Sequence, residues 1–224
     1  MKKRIVVLFD LDGTIIDSGE GVINSAKYAL EKFGIKEENS DKLKRFVGPP
    51  LMFSFSSFYG LSKEDAKEAI KYYREYYTKK GIFECFVYDG IEELLKALKA
   101  KKYRIILTTS KPELFAKKIL KHFGIIKYFD FVAGASLDEL TRITKDDVLK
   151  YAQEKNSIDK KNDKVFLVGD RCYDIDGAHN FGFKAISVLF GYGSREEFEE
   201  HGSEYIISDP GEVIRIIEKE EDSE

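Results

Sequence analysis

The sequence contains few of the residue types that mark several classes of protein. Its 224 residues include two cysteines, three histidines and no tryptophan. Cys85 and Cys172 are too few for a disulfide framework and indicate a reducing compartment, so we expect a cytoplasmic protein in which both thiols are structural. The histidines, His122, His179 and His201, do not have the spacing of metal ligands, which argues against a histidine-based metal centre.

Long hydrophobic runs and an excess of one charge are also missing. The longest apolar runs have the length of a strand, far shorter than a membrane span. The apolar stretch that follows the basic N-terminus ends in Asp10 and Asp12, which a signal peptide would not contain. The net charge is −3, and the two signs are interspersed without a basic patch. We therefore expect neither a membrane nor a nucleic acid as partner.

The most informative stretch lies near the beginning of the chain. Residues 5–9 read Ile-Val-Val-Leu-Phe, a run typical of a strand buried on both faces. Asp10 and Asp12 follow at once, and Gly13 allows the chain to turn away sharply. This pattern predicts two carboxylates at the carboxyl edge of a sheet, where open α/β folds bind their ligands. Two carboxylates so close to each other require a cation or a shared proton to offset their repulsion.

Strand and helix patterns alternate along most of the remaining chain. This alternation predicts an α/β fold with a doubly wound parallel sheet. Residues 16–81 form the exception, because they read as consecutive helices without a convincing strand. We expect residues 1–15 and 82–224 to form the α/β core domain, with 16–81 as an inserted helical domain. The expected later strands lie near residues 104–108, 129–132, 164–168, 185–189 and 205–207.

Two of the later strands also end in polar residues. The strand at 104–108 leads into Thr109 and Ser110, and Ser110 with Glu113 predicts a capping box on the next helix. The strand at 164–168 leads to Asp170, with Asp174 four residues further on. Carboxylates that converge from separate strand ends need a cation, and an all-oxygen site suits Mg²⁺.

These motifs together resemble those of the haloacid-dehalogenase-like (HAD) superfamily of phosphohydrolases. Residues 10–14, Asp-Leu-Asp-Gly-Thr, match its first motif, and Gly169-Asp170-x-x-x-Asp174 matches its fourth. Thr109 and Lys145 occupy the places of its second and third motifs. The helical insertion is similar to the small mobile cap of the phosphoglycolate-phosphatase and β-phosphoglucomutase branch. Residues 48–51 and 109–112 look most like the phosphoglycolate-phosphatase-like members.

The resemblance implies a HAD-like Rossmannoid core and roles for four acids. Asp10 is implied to be the nucleophile that forms an aspartyl-phosphate, and Asp12 the general acid and base. Mg²⁺ would be held by the Asp10 carboxylate, the Asp12 backbone carbonyl and Asp170. Asp174 is implied to act as a further ligand or to support the others.

The resemblance also implies a phosphate-binding set. Thr109 and Ser110 would donate hydrogen bonds to phosphoryl oxygens, and Lys145 would neutralise charge. Two alternatives stay open. Thr108 stands beside Thr109 and could supply the second-motif hydroxyl. Most relatives have proline after the third-motif lysine, where this chain has Asp146, so the helical lysines at 150 and 155 remain weaker candidates.

The expected activity is Mg²⁺-dependent hydrolysis of a small phosphorylated metabolite, phosphoglycolate-like or nucleotide-like. One alternative is a β-phosphoglucomutase-like phosphomutase, for which Arg45 is the cue. Another is an inactive binding module with the same fold. Lys44 and Arg45 of the inserted helices are candidates for contact with the far end of a substrate. We expect a monomer or a weak homodimer.

Overall fold

The computed structural model describes residues 3–137 and 141–222. The chain forms two compact units. The first, the core unit, consists of Met1–Ile16 and Val87–Glu224, and the second, the helical unit, consists of Asp17–Phe86. Each unit is described separately.

The core unit is built on six parallel strands in the order β5-β4-β1-β6-β7-β8. Two further short strands, β2 and β3, pair where the chain passes between the units. The strands are β1 (Arg4–Phe9), β2 (Ile16–Asp17), β3 (Phe86–Val87), β4 (Arg104–Pro112), β5 (Phe131–Ala135), β6 (Asp163–Gly169), β7 (Lys184–Val188) and β8 (Tyr205–Ile207).

The first four helices belong to the helical unit, and the other six belong to the core unit, where they flank the sheet. No helix in the described part of the chain combines the length and the apolar character needed to cross a bilayer. The helices are α1 (Gly19–Glu31), α2 (Ser40–Lys44), α3 (Leu51–Tyr59), α4 (Lys63–Lys79), α5 (Ile91–Ala100), α6 (Glu113–His122), α7 (Lys145–Asn156), α8 (Cys172–Asn180), α9 (Arg195–Glu200) and α10 (Glu212–Asp222).

Burial of β1 on both faces explains why the sheet needs helices on each side. Val6 and Leu8 point to one face and Val7 and Phe9 to the other, and all four are fully buried. On the Val6 face, α7 and α8 contribute apolar residues such as Val148 to a single cluster. This arrangement confirms the doubly wound parallel sheet expected from the sequence.

The helical unit has its own apolar interior. The buried stripe of α4 recurs at helical spacing and packs against α1 and α3. The Ser62 hydroxyl accepts a hydrogen bond from Asp65 N at 3.0 Å and caps the start of α4. The ring of Phe46 lies 5.0 Å from that of Phe55 in an edge-on contact. The unit therefore has a hydrophobic core of its own.

The predicted capping box of Ser110 and Glu113 is wrong. The strand β4 continues through Pro112, which is the N-cap of α6 and supplies no side-chain hydrogen bond. The pairing of β4 with β5 shifts between Thr109 and Pro112, so the chain stays extended through an irregularity instead of turning at Ser110. The short helix α9 was not predicted.

Candidate active site

Asp10 and Lys145 form the centre of the candidate site. Asp10 directly follows β1, and its backbone N–H donates to Val168 O of the neighbouring strand at 2.9 Å. Lys145 is the first residue of α7 and is 7% exposed. Its Nζ donates to Asp10 Oδ1 and to the Thr108 carbonyl, each at 2.7 Å. The ammonium is thus fixed against the carboxylate at the end of the central strand.

Asp170 and Asp174 complete an acidic cluster with Asp10. Asp170 directly follows β6, the neighbour of β1, and Asp174 lies in the first turn of α8. One carboxylate oxygen from each of the three acids lies within 4.8 Å of the others. Lys145 Nζ is also 2.6 Å from Asp174 Oδ1. The cluster can therefore offer several oxygen ligands to a metal ion.

The charges of this cluster are not balanced by the protein alone. Lys145 contacts the carboxylates of Asp10 and Asp174, and its one positive charge offsets only one of the three negative charges that the cluster carries when all three acids are ionised. Burial raises the pKa of Asp10 to about 7, and the charges of Asp174 and Asp12 add to this effect while Lys145 opposes it. Burial and the charges of Asp174 and Asp10 likewise raise the pKa of Asp170. The donor set and the charge deficit both fit a divalent cation.

Asp12 lies beside a lysine to which the sequence analysis assigned no role. Lys111 Nζ is 2.9 Å from Asp12 Oδ1, and the two side chains are 8% and 13% exposed. Lys111 lies in the irregular part of β4, where the register with β5 shifts. Its only sequence signal is its place directly after Thr109 and Ser110.

Thr108 and Thr109 point in different directions because side chains alternate along a strand. The Thr108 hydroxyl donates to the Phe9 carbonyl at 3.4 Å. The Thr109 hydroxyl accepts a hydrogen bond from Lys111 N at 3.1 Å, which leaves its own hydrogen to be donated elsewhere. Ser110 is half-buried and follows on the same strand.

A capping box fixes the start of α7, the helix that carries Lys145. Thr144 Oγ1 accepts from Asp147 N at 3.2 Å, and Asp147 Oδ2 accepts from Thr144 N at 3.0 Å. Asn180 of α8 donates to Asp146 Oδ2 at 2.9 Å, which ties the same turn to the next helix. The pattern Thr-x-x-Asp at residues 144–147 is the sequence signal for this cap, which was not predicted.

The loop after β7 covers Asp170. Tyr192 N donates to Asp170 Oδ2 at 2.8 Å. A Cβ atom on Gly191 would lie 2.4 Å from the Asp170 Cβ, and one on Gly13 would lie 2.0 Å from Asp170 Oδ2. The two glycines therefore leave the space that Asp170 occupies. This contact between Tyr192 and Asp170 was not predicted from the sequence.

The two candidate substrate contacts, Lys44 and Arg45, belong to the helical unit. Lys44 Nζ lies 3.2 Å from Asp41 Oδ1 in an exposed pair. The guanidinium of Arg45 stacks over the ring of Phe58 at 4.0 Å from its centroid. Both side chains thus contact neighbours within their own unit, and their contact with a substrate stays a prediction.

Comparison with known proteins identifies the family to which the chain belongs. The profile of the haloacid dehalogenase-like hydrolases matches residues 7–188, which include all the acids described above and Lys145. The chain belongs to this family. The resemblance seen in the sequence motifs is therefore confirmed, and the chain is an enzyme of the phosphoric monoester hydrolase type.

Three individual proteins resemble the chain over nearly its whole length. A 5′-nucleotidase from Pseudomonas aeruginosa is 35% identical and is matched over 95% of each chain. A tyrosine-protein kinase PtkA from Mycobacterium tuberculosis is 36% identical, with 95% of this chain and 71% of PtkA covered. A crystal structure of a predicted phosphatase from Clostridium acetobutylicum is 44% identical, with a TM-score of 0.91 over 98% of this chain and all of that one.

Proposed function

We propose that the enzyme hydrolyses a small phosphomonoester through an aspartyl-phosphate on Asp10, with Mg²⁺ as its metal. The observation that carries this proposal is the position of Lys145, whose Nζ contacts Asp10 and Asp174 at 2.7 and 2.6 Å. The positive charge of a buried ammonium beside this carboxylate reduces the repulsion between the carboxylate and an anionic phosphate.

Asp10 is the proposed nucleophile. Lys145 engages Oδ1, which leaves Oδ2 to attack phosphorus. A bond forms between Oδ2 and phosphorus while the bond from phosphorus to the leaving oxygen breaks. Water then attacks the phosphorus of the aspartyl-phosphate, releases inorganic phosphate and restores Asp10.

Asp12 is the proposed general acid and base of these two steps. It gives a proton to the leaving oxygen and then accepts one from the attacking water. Its contact with Lys111 at 2.9 Å fixes the side chain in one orientation and favours the ionised form that acts as the base. In the acid step Asp12 is protonated, and the proton that it gives to the leaving oxygen is replaced by the one that it takes from water. We propose Lys111 as a positioning residue that acts through Asp12.

The acidic cluster is the proposed metal site. The carboxylates of Asp10, Asp170 and Asp174 and the Asp12 backbone carbonyl would hold Mg²⁺, which when bound would shield Asp10 from the incoming phosphate and stabilise the transferred charge. The two uncompensated negative charges of the cluster support a divalent ion, and the all-oxygen donor set favours Mg²⁺.

Thr109 and Ser110 are the proposed donors to the phosphoryl oxygens. The Thr109 hydroxyl is favoured over that of Thr108, because Thr108 already donates to the Phe9 carbonyl. Ser110 would donate through its backbone N–H. Lys145 would neutralise part of the phosphate charge once the substrate is bound.

The substrate is proposed to be a nucleoside 5′-monophosphate or phosphoglycolate. The first follows from the P. aeruginosa relative, which is named a 5′-nucleotidase. The second follows from the resemblance of residues 109–112 to the phosphoglycolate-phosphatase-like members. The phosphomutase alternative rested on Arg45 as a contact for a second phosphate. The guanidinium of Arg45 stacks on the ring of Phe58, which does not favour that alternative.

Hydrolysis of p-nitrophenyl phosphate by the wild type and by Asp10→Asn tests the proposal. Activity should require Mg²⁺, should disappear in EDTA, and should be lost in Asp10→Asn. Asp176→Asn makes the same chemical change at an exposed residue and should retain activity. A comparison of AMP with phosphoglycolate at equal concentration then separates the two proposed substrates. Activity that persists in Asp10→Asn would contradict the mechanism.

A further inference from the structure

A glutamate of α9 contacts the turn that joins two acids of the cluster. Glu197 Oε1 accepts a hydrogen bond from Cys172 N at 2.7 Å and another from Arg171 Nε at 3.0 Å. Both donors lie between Asp170 and Asp174 in the sequence, and all five residues belong to the core unit. Glu197 therefore contacts the backbone that carries two of the clustered acids, although it is not one of them.

The backbone of this turn needs acceptors from outside the helix. Cys172 is the first residue of α8, where the N–H groups have no acceptor within the helix itself. Asp174 Oδ2 accepts from Asp170 N at 3.2 Å and from Arg171 N at 3.1 Å, and Glu197 accepts from the N–H that follows. Two carboxylates thus share the start of α8, one from within the helix and one from α9.

Close packing fixes the segment that carries Glu197 beside Asp170. A Cβ atom on Gly193 would lie 2.2 Å from the Asp170 carbonyl oxygen and 2.5 Å from Cε1 of Phe198. Phe198 is fully buried in the apolar cluster of the core unit. Ser194 Oγ accepts from Glu197 N at 3.2 Å and caps α9. These contacts are independent of the Glu197 carboxylate and hold it at the turn.

The pairing of Arg171 with Glu197 also has an electrostatic consequence for Asp170. Burial raises the pKa of Asp170, and the charge of Arg171 is one of the influences that oppose this rise, so the guanidinium acts on that carboxylate. An uncompensated guanidinium beside the acidic cluster would repel a divalent cation. The Glu197 carboxylate offsets this charge, and the two side chains are only 28% and 23% exposed, so water screens the pair in part.

We propose that Glu197 is a positioning residue for the metal site, which holds the turn from Asp170 to Asp174 in place and offsets the charge of Arg171. The inference rests on the proposed metal site and adds to it a residue that would not touch the metal. Residues that orient metal ligands in this way typically contribute 10–100-fold to metal affinity. Because Glu197 acts on the backbone and on Arg171 rather than on a ligand carboxylate, we expect about tenfold.

Titration of the metal-free protein with Mn²⁺ tests the proposal. Mn²⁺ takes the same oxygen ligands as Mg²⁺, and the paramagnetic resonance signal of the free ion measures how much remains unbound. In Glu197→Ala the affinity for Mn²⁺ should fall about tenfold. Glu197→Gln should bind with an intermediate affinity, because glutamine keeps an oxygen that accepts from Cys172 N but carries no charge. Glu199→Ala changes an exposed residue of the same helix and should bind as the wild type does.

A second control separates positioning from a general loss of stability. Glu220→Gln weakens ion pairs with Lys164 and Lys184 at the amino-terminal ends of β6 and β7, so it should lower the unfolding temperature without changing Mn²⁺ affinity. Wild-type affinity in Glu197→Ala, or an equal loss of affinity in Glu220→Gln, would overturn the inference and leave the metal site standing. Absence of Mn²⁺ binding by the wild type would overturn the metal site itself, and the inference with it.

Discussion

Lys145 and Asp10 are 135 residues apart in the sequence, yet Nζ of the lysine donates to Oδ1 of the aspartate at 2.7 Å. Lys145 begins α7, the helix that follows β5; α7 packs against β5 and β4, and β4 pairs with β1, so the start of α7 reaches the end of β1. The contact also distinguishes Lys145 from the two other lysines of α7, which the sequence left as alternatives.

Replacement of Lys145 should reduce both activity and stability. In Lys145→Met we expect kcat to fall by ~10²–10³, the typical loss for one charged contact to the transferred group. The variant should also unfold at a lower temperature in EDTA, because Asp10 and Asp174 lose the ammonium that both contact, and Mg²⁺ should restore part of that loss. Thermal unfolding with and without Mg²⁺ measures this effect.

Lys150→Met is the matched control for that experiment. Lys150 lies on the same helix but is exposed, so kcat should stay within about twofold of the wild type, because a surface substitution away from the site has little effect. A large loss of kcat in Lys150→Met, with normal activity in Lys145→Met, would contradict the assignment of Lys145.

Replacement of Lys111 should impair catalysis through Asp12. We expect Lys111→Met to lower kcat about tenfold, a fraction of the usual contribution of general acid–base catalysis, with little change in KM for p-nitrophenyl phosphate. Lys111→Arg should restore part of kcat because it retains the charge. Lys117→Met changes a half-buried lysine of the next helix that pairs with Glu113 and does not contact Asp12, and it should behave as the wild type. An unchanged kcat in Lys111→Met would exclude the positioning role.

Loss of the capping box on α7 should affect catalysis as well as stability. Thr144→Ala should cost about 1 kcal/mol of unfolding free energy. It should also lower kcat, because Lys145 is the next residue, whereas Thr144→Ser should restore both quantities. Ser62→Ala removes the cap of α4 and should lose a similar free energy without the fall in kcat. Urea unfolding and steady-state kinetics give the two quantities, and equal kcat values in the two alanine variants would be the contrary result.

Glu220 should make stability depend on pH at the acidic end. Burial alone would raise its pKa, but hydrogen bonds from Lys184, Tyr205 and Lys164 outweigh burial and lower the pKa to about 2. A carboxylate whose pKa is lowered by folding stabilises the protein above its unfolded pKa, near 4.5, and loses that contribution as the pH falls toward 2.

Unfolding of Glu220→Gln across this pH range measures the effect. Near neutral pH the variant should be less stable than the wild type by about 2 kcal/mol, a value that allows for partial solvent screening. The difference should shrink as the pH falls from 4.5 to 2. Glu218→Gln removes an exposed pair with Lys101 and should cost less than about 1 kcal/mol. A difference that grows at low pH would have the wrong sign.

The sequence predicted the sheet and the acids of the candidate site because both depend on local patterns. An apolar strand followed by a carboxylate is visible at Asp10 and at Asp170, and parallel strands bring such ends to one edge of the sheet. Helix α4 was also predicted from the sequence, because its buried residues recur at helical spacing and Ser62 marks its N-cap.

The remaining features depend on contacts between distant segments. The pairing of Lys111 with Asp12 requires the register shift in β4, which no local pattern announces. The same shift made the predicted cap at Ser110 wrong, because the strand continues past it. The cover over Asp170 comes from Tyr192, 22 residues further along the chain. The glycine-rich sequence of residues 191–193 does not by itself predict that contact.

The most direct test of the account is to identify the residue that carries the phosphoryl group. The enzyme is mixed with a substrate that it hydrolyses, and the reaction is quenched in acid during turnover. Treatment with borohydride then reduces an aspartyl-phosphate to homoserine. Peptide mass analysis should then find homoserine at position 10 in the wild type and none in Asp10→Asn. Homoserine at another position, or steady turnover with residue 10 always unmodified, would contradict a phosphorylated intermediate on Asp10.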